Sequence, residues 1–430
     1  MGRRDEAYGA RRSIADHRAR IARATAAPIG IVLCALAIVA PPEAHAEAAD
    51  DPPPTISVSA RNTIDVWGVA DGGKQRGVPG LNKLQVAATL AGDGFGMPGL
   101  TLHAQIFRTD GESLSARLGD IQTADNIEAP AVTRLFEAWI AQRFGHGRAL
   151  SLRAGLIDLN SDFDSIDTAS LFLSSSHGIA PDLSKSGLAG PSIFPVTSLG
   201  AEFGWQATPK LALHVAAFDG VSGDPARPNA FAAARLSRDD GVLTIGQLDY
   251  AIGKSGQIEL GLWRYSHPMA AIDPGIGTRR DQGAYVSIDT PIPGTRHWDA
   301  WGRIGVANGQ VQLVSDYIGA GIVRTAPFAG RPDDRVGIAI ARAGIAEASR
   351  RLSGLHHAET SIEATYQFRL NHFAVLQPDV QYIFHPSAEA GVANALAFGL
   401  RLVVEAGIPK GASSREGADP TVAPGSTGRR

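Results

Sequence analysis

The sequence predicts an all-β chain that closes into a transmembrane antiparallel barrel around a water-filled pore. Three observations carry this expectation. The chain opens on an export leader. Its segments alternate in polarity with a small or charged second face. Its connections alternate between tight turns and long loops.

Composition sets the bounds. The chain has 430 residues, 44% of them hydrophobic, with 49 Gly, 26 Pro and 19% charged residues. Its mean hydropathy is -0.03. A disordered chain would carry fewer apolar residues and more net charge. A helical membrane protein would carry several apolar runs of about 20 residues. This chain has one sustained run, Ala27–Ala40, which is too short to span.

The leader comes first. Residues 1–26 hold seven Arg against Asp5, Glu6 and Asp16, and Ala27–Ala40 follows, ending near Ala44-His45-Ala46. A basic region, an apolar core and an A-x-A end make a secretory signal peptide over 1–46, cut after Ala46. Cleavage removes Cys34, the single cysteine, so the exported chain uses no disulfide. The remaining chain has 33 basic and 39 acidic residues, and only six of the basic ones are Lys. A mildly acidic chain with no basic run argues against nucleic acid as a partner. The Arg bias favours planar, multi-donor hydrogen bonding.

Residues 47–60 read as a short polar segment, 61–408 as the barrel and 409–430 as a disordered Gly/Ser/Pro tail. Within 61–408 the alternating segments include Arg134–Phe144, Leu150–Leu156, Leu199–Gln206 and Leu211–Phe218. Further along come Gln257–Tyr265, Trp298–Val306, Val311–Ile318 and Ala395–Val404. Each is about 7–11 residues long, close to the roughly 9–11 a tilted strand needs to cross a bilayer core. Residues 145–148 and 207–210 are tight polar turns, whereas Asn160–Thr197 and Pro268–Gln282 read as long loops. Turns that alternate in this way mark the two sides of a membrane barrel. Leu199, Ala201, Phe203 and Trp205 share one face, opposite Gly200, Glu202 and Gly204. The first face suits lipid and the second a wet lumen. An exported β-sandwich would show similar alternation at shorter spacing.

Several stretches are more specific. Gly119–Gln142, Leu150–Phe163, Leu171–Leu183 and Phe218–Pro225 resemble the carbohydrate-selective porins of Gram-negative outer membranes. So do Gly321–Gly344, Gln377–Pro386 and Asn394–Leu402, all in order along the chain. The resemblance implies about sixteen strands, residence in the outer membrane among lipid and lipopolysaccharide, and passive diffusion of small sugars without a cofactor. One departure is that the last strand runs Leu402-Val403-Val404-Glu405-Ala406 without the terminal aromatic common in such barrels.

A sugar channel needs aromatic faces for C–H surfaces and charged groups for hydroxyls. In 134–143, parity sends Phe136, Ala138 and Ile140 to lipid and Glu137, Trp139 and Arg143 inward. In 150–156 it leaves Arg153 inside. Glu259, Trp263 and Tyr265 face inward from 257–265, and Trp301 and Arg303 from 298–306. With Glu202 these ten residues are the candidate pore lining. The same residues also suit a merely solvated wall, with Trp anchoring the interface. Other function classes stay open at this point, namely a barrel enzyme acting on lipid and an exported sugar-binding β-protein without a pore.

Four motifs carry less. Asp158-x-Asn160-x-Asp162-x-Asp164 lacks the Gly and the terminal acid of a calcium loop, with Phe163 and Ala169 in their places. Gly253-Lys254-Ser255 lacks phosphate-loop spacing and reads as a turn. His356-His357 reads as solvated. Ser176-His177 with Asp182 has no nucleophile elbow and reads as loop chemistry. No metal site and no catalytic set are expected.

Overall fold

A computed structural model describes Ile56–Ile408 apart from Ala233. The expected leader (1–46) and tail (409–430) lie outside these residues. Sixteen antiparallel strands form one closed barrel, each paired with its sequence neighbours. The first five are β1 (Ile56–Gly73), β2 (Gly80–Ala91), β3 (Leu100–Gly111), β4 (Val132–Phe144) and β5 (Leu150–Ile157). Then come β6 (Ser198–Thr208), β7 (Leu211–Asp219), β8 (Val242–Ile252), β9 (Gly256–Ala270) and β10 (Thr278–Pro291). The remaining six are β11 (Trp298–Ala307), β12 (Val314–Thr325), β13 (Arg335–Ile345), β14 (Ala358–Arg369), β15 (Ala374–Phe384) and β16 (Ala393–Ile408). β16 closes the barrel on β1, from Val58 opposite Ile408 to Gly73 opposite Ala393. Closure leaves no strand edge unpaired, which a lipid environment requires.

Three boundaries differ from the sequence reading. β1 starts at Ile56, inside the segment read as polar. β9 and β10 extend into Pro268–Gln282, leaving only residues 271–277 as a connection. β12 starts at Val314 because residues 308–313 form a turn. Long connections follow β3, β5 and β7, whereas the turns after β4, β6 and β8 are short. By the barrel rule the short-turn end is periplasmic.

The parity is as expected in most strands: Leu152, Val215, Leu260, Leu262 and Ile304 are exposed on the outer surface. β4 is the exception. Its register against β3 slips between Gln105–Glu137 and Ile106–Leu135. This bulge leaves Phe136 unpaired and turns both Phe136 and Glu137 inward. Phe136 is therefore not lipid-facing; it is buried against Phe107 and Phe194.

The lumen is partly filled. Residues 158–197 fold inward as short helical turns, and Phe163, Leu171, Phe172 and Leu183 are fully buried. They pack on inward side chains of the wall, including Trp263, Tyr265 and Tyr285 in one cluster and Trp301, Val323 and Ala339 in another. Residues 112–131 also turn inward, so that Leu114, Leu118 and Ile127 meet Trp67, Val69 and Ala397. Each such side chain stabilises the docked segment by roughly 1.5–3 kcal/mol relative to exposure.

Glycine makes this close packing possible. Trp263 lies directly opposite Gly283, and Tyr285 opposite Gly261. Trp301 faces Gly321, Trp139 faces Gly155 and Trp67 faces Gly399. A Cβ at Gly261 would stand 2.1 Å from the Tyr285 ring, and one at Gly283 2.4 Å from the Trp263 indole. Each ring lies across a neighbour with no side chain, which keeps it flat against the wall.

Candidate functional site in the barrel lumen

The ten expected lining residues fall into two groups. Arg153, Glu202, Glu137 and Trp139 come together on β4–β6. Directly paired positions carry them: Arg153 opposite Glu202, and Trp139 opposite His103 of β3. The Arg153 guanidinium bonds Asp162 of the inward segment and Glu202 Oε2 at 2.5 Å. Glu202 Oε1 lies 3.2 Å from His214 Nδ1, and His214 Nε2 lies 3.5 Å from Asp249. On the other side Trp139 stacks on His103 with centroids 4.9 Å apart, while Arg153 sits 5.3 Å over the indole. Trp139 Nε1 donates to Glu137 at 3.1 Å, and Thr89 Oγ1 is 2.8 Å from His103 Nδ1.

This girdle keeps contact with the lumen. The Arg153 side chain is 10% exposed and that of His214 22%. Four carboxylates (Glu137, Asp162, Glu202 and Asp249) surround the single guanidinium. The ligand atoms of Asp162, Glu202 and His214 lie within 4.8 Å of one another, a spacing a divalent ion accepts. Arg153 already bonds two of the three, so its guanidinium takes the place such an ion would occupy.

The second group is sealed. Arg303 is 3% exposed. Its Nε and Nη2 donate to Asp164 at 2.7 and 2.9 Å, and Nη1 and Nη2 donate to Asp182 at 2.5 and 3.1 Å. The Tyr285 and Tyr317 rings flank the guanidinium at 5.0 and 5.3 Å. Four of its five N–H groups are thus held by carboxylates, and the whole group is buried away from solutes. Trp301 is 4% exposed against Phe172 and His177, and Trp263 is 3% exposed in the core. Tyr265 is buried with its hydroxyl 3.2 Å from Ser186 Oγ. Glu259 is buried and accepts from Gln257 and Ser287 at 2.9 Å. Arg143 stands apart, half-buried at the periplasmic end of β4. Trp263, Trp301 and Tyr265 thus present no open ring face to the lumen, because the inward segment covers them.

The Asp-x-Asn-x-Asp-x-Asp run explains much of this division. Asp158 Oδ1 accepts from Asn160 N at 3.0 Å and turns the chain inward. Asp162 then reaches Arg153 while Asp164, two residues on, reaches Arg303. Phe163 between them is buried. Asp182 belongs to the Arg303 pair rather than to Ser176 and His177. Burial pulls the His177 imidazole down to about 3, and neither ring nitrogen has a hydrogen-bond partner among the described residues. Gly253-Lys254-Ser255 is the exposed turn between β8 and β9. His356 packs on the His385 ring at 4.2 Å, and His357 Nδ1 meets Arg350 at 2.5 Å.

Sequence reasoning missed a second anchor. Arg401 of β16 bonds Asp65 at 2.6 Å, Asp125 at 3.1 Å and Asn126 at 2.8 Å, and so holds residues 112–131 to the wall. Trp67 Nε1 adds a 2.6 Å bond to Asp125. It also missed His103 and His214, whose inward parity was legible but whose partners on other strands were not.

The comparisons agree with this architecture. Residues 83–405 match the family described as carbohydrate-selective porin, OprB family. A high-pH structure of Pseudomonas putida OprB superposes with a TM-score of 0.73 at 19% identity, covering 82% of this chain and 94% of that one. The low-pH structure of the same protein gives 0.52 at 15% identity, covering 82% and 92%. The outer membrane channel DcaP of Acinetobacter baumannii gives 0.53 at 8% identity, covering 81% and 96%. At these identities the structures establish the fold alone. No curated protein matches by sequence. The family match spans most of the chain and the barrel is closed around a polar girdle: this chain belongs to the carbohydrate-selective porin family, whose members form outer-membrane channels for sugar diffusion.

Proposed function

We propose that solutes are selected at the girdle on β3–β7, where Arg153, Glu202, Glu137, His103 and His214 meet Asp162 of the inward segment. One observation carries this reading: Arg153 retains lumen exposure while Arg303 is enclosed by two carboxylates. Sugar hydroxyls exchange for the girdle's own hydrogen bonds as the solute passes. A charged hydrogen bond contributes about 1.5–3 kcal/mol before competition from water and from the resident partners. That suits a channel, in which the solute must leave as readily as it enters.

Trp139 supports the ring of partners rather than offering a free stacking face, since His103 and Arg153 flank it. Trp263, Trp301, Tyr265 and Glu259 serve as the seat of the inward segment. Arg143 lies on the route toward the periplasm. Four acids around one guanidinium favour neutral sugars and cations over anionic solutes of similar size. Diffusion runs down the gradient with no coupling ion or nucleotide. The mature chain begins at Glu47 and resides in the outer membrane.

Liposome swelling tests this. Glucose should enter protein-containing liposomes several-fold faster than gluconate, and Arg153→Gln, which removes the positive group and leaves the acids, should widen that ratio. Equal rates for the two solutes in the native protein would overturn the reading.

A further inference from the structure

The outer surface carries a site that the channel does not use. At the extracellular end of β8–β10, two adjoining depressions share Arg264. The upper one is lined by Thr244, Arg264, Ser266 and Arg280, all exposed and all on outward parity positions. The lower one runs along Leu262, Ala284 and Val306, with Gln282 and Asn308 at its upper margin. Leu262 and Val306 are 61% and 52% exposed, as lipid-facing side chains should be. An apolar strip thus passes upward into two guanidinium groups flanked by hydroxyls and amides.

The charge at this point is unbalanced. Outward arginines on other strands carry their own acidic partners: Arg108 of β3 bonds Asp110 at 2.8 and 2.9 Å, and Arg342 of β13 bonds Asp316 of β12 at 2.6 Å. Arg264 has no acidic partner among the described residues, and Arg280 donates only to the backbone carbonyl of Ser266 at 3.0 Å. Guanidinium is a fork for phosphate oxygens. A pair of them just above an apolar strip matches a molecule that has acyl chains below and phosphate above.

We propose that this crevice binds a phosphorylated glycolipid of the outer leaflet, with phosphate on Arg264 and Arg280. Gln282, Asn308, Thr244 and Ser266 then meet the headgroup sugar, and an acyl chain lies along Leu262, Ala284 and Val306. The glycolipid is favoured over a phospholipid by its side of the membrane and by the neutral polar groups beside the arginines. The inference rests on the outer-membrane placement of the barrel, not on how the lumen selects solutes.

The test is native mass spectrometry of the detergent-solubilised full barrel titrated with bisphosphorylated lipid A. The same lipid stripped of phosphate, phosphatidylglycerol and inorganic phosphate serve as separate arms. Removing two interfacial charges should weaken lipid A binding about thirtyfold in R264Q/R280Q. R108Q should bind as the native protein does, and glucose flux should be unchanged in both variants. Equal binding of phosphate-free lipid A, or native-like binding by R264Q/R280Q, would overturn the proposal. Equal retention of phosphatidylglycerol, or displacement of lipid A by millimolar phosphate alone, would overturn the glycolipid as the occupant. If R264Q/R280Q fails to fold, the native protein's ranking of the four probes decides. Loss of glucose flux in the native protein would instead count against the channel reading.

Discussion

Arg153 and Arg303 are the same residue type on inward faces of the same barrel, yet they do different work. Both meet acids of the segment 158–197, and the two contacts come from positions only two residues apart, Asp162 and Asp164. Arg303 receives a second loop carboxylate, Asp182, and two tyrosine rings, and becomes a buried anchor. Arg153 receives instead a wall carboxylate, Glu202, and keeps one side toward the lumen. Strand parity decides that a side chain points inward; the chain that folds back over it decides whether a solute can reach it.

The largest expected effect is at the anchor. Arg303→Ala leaves two buried carboxylates without their cation, a loss of about 3–5 kcal/mol. The segment 158–197 should undock, raising single-channel conductance several-fold and exposing the segment to protease. A native cleavage pattern would break the contrast between the two arginines. Next comes the wall beneath the segment. Gly261→Val puts side-chain carbons into the Tyr285 ring, where even a Cβ stands 2.1 Å away. Overpacking of this kind costs typically 1–3 kcal/mol, so heat-induced unfolding of the barrel on gels should shift downward by several degrees.

Acid should act through the same segment. His177 is buried and neutral, and burial holds its imidazole down to about 3. An undocked histidine protonates near 6.5. The undocked state therefore binds the proton first, so the His177 contribution to docking is constant above about 6.5 and is lost as the pH falls toward 3. Hydrogen-exchange protection of residues 175–184, taken relative to the intrinsic rate at each pH, should fall more between pH 6.5 and 4 in the native protein than in His177→Gln. The smallest effect is expected at Trp301→Phe. Its indole nitrogen has no partner among the described residues and its ring is sealed, so sugar ranking should stay as it is. A changed ranking would return Trp301 to the selectivity site.

Much of the fold was legible from the segments themselves. Leu199–Gln206, Leu211–Phe218 and Gln257–Tyr265 carry their two faces in strict alternation, and the structure gives them those faces. The bulge at Phe136 was not legible, because Phe136 and Glu137 are adjacent and alternation alone must separate them. The site was half legible. Inward direction followed from parity for Arg153, Glu202, Trp263 and Arg303 alike. What parity lacks is depth: nothing in Trp298–Val306 says that Asp164 and Asp182 will cover it. A partial signal existed in the glycines. Gly261, Gly283 and Gly321 stand on inward faces opposite a Tyr or Trp, and a ring seated on a glycine lies flat under whatever packs over it. The long inward connections held the rest of the signal, in carboxylates spaced by two that resemble a cation loop and turn out to bind arginines.

The most direct test compares the two arginines in one assay. Liposomes carrying native protein, R153Q or R303Q would be scored for swelling with glucose, maltose and gluconate, with conductance recorded on the same preparations. R153Q should change the order or spacing of the three solutes with little change in conductance. R303Q should raise conductance and accelerate all three solutes together. If R303Q alone reorders the solutes while R153Q leaves both readouts native, selection does not occur at the Arg153 girdle.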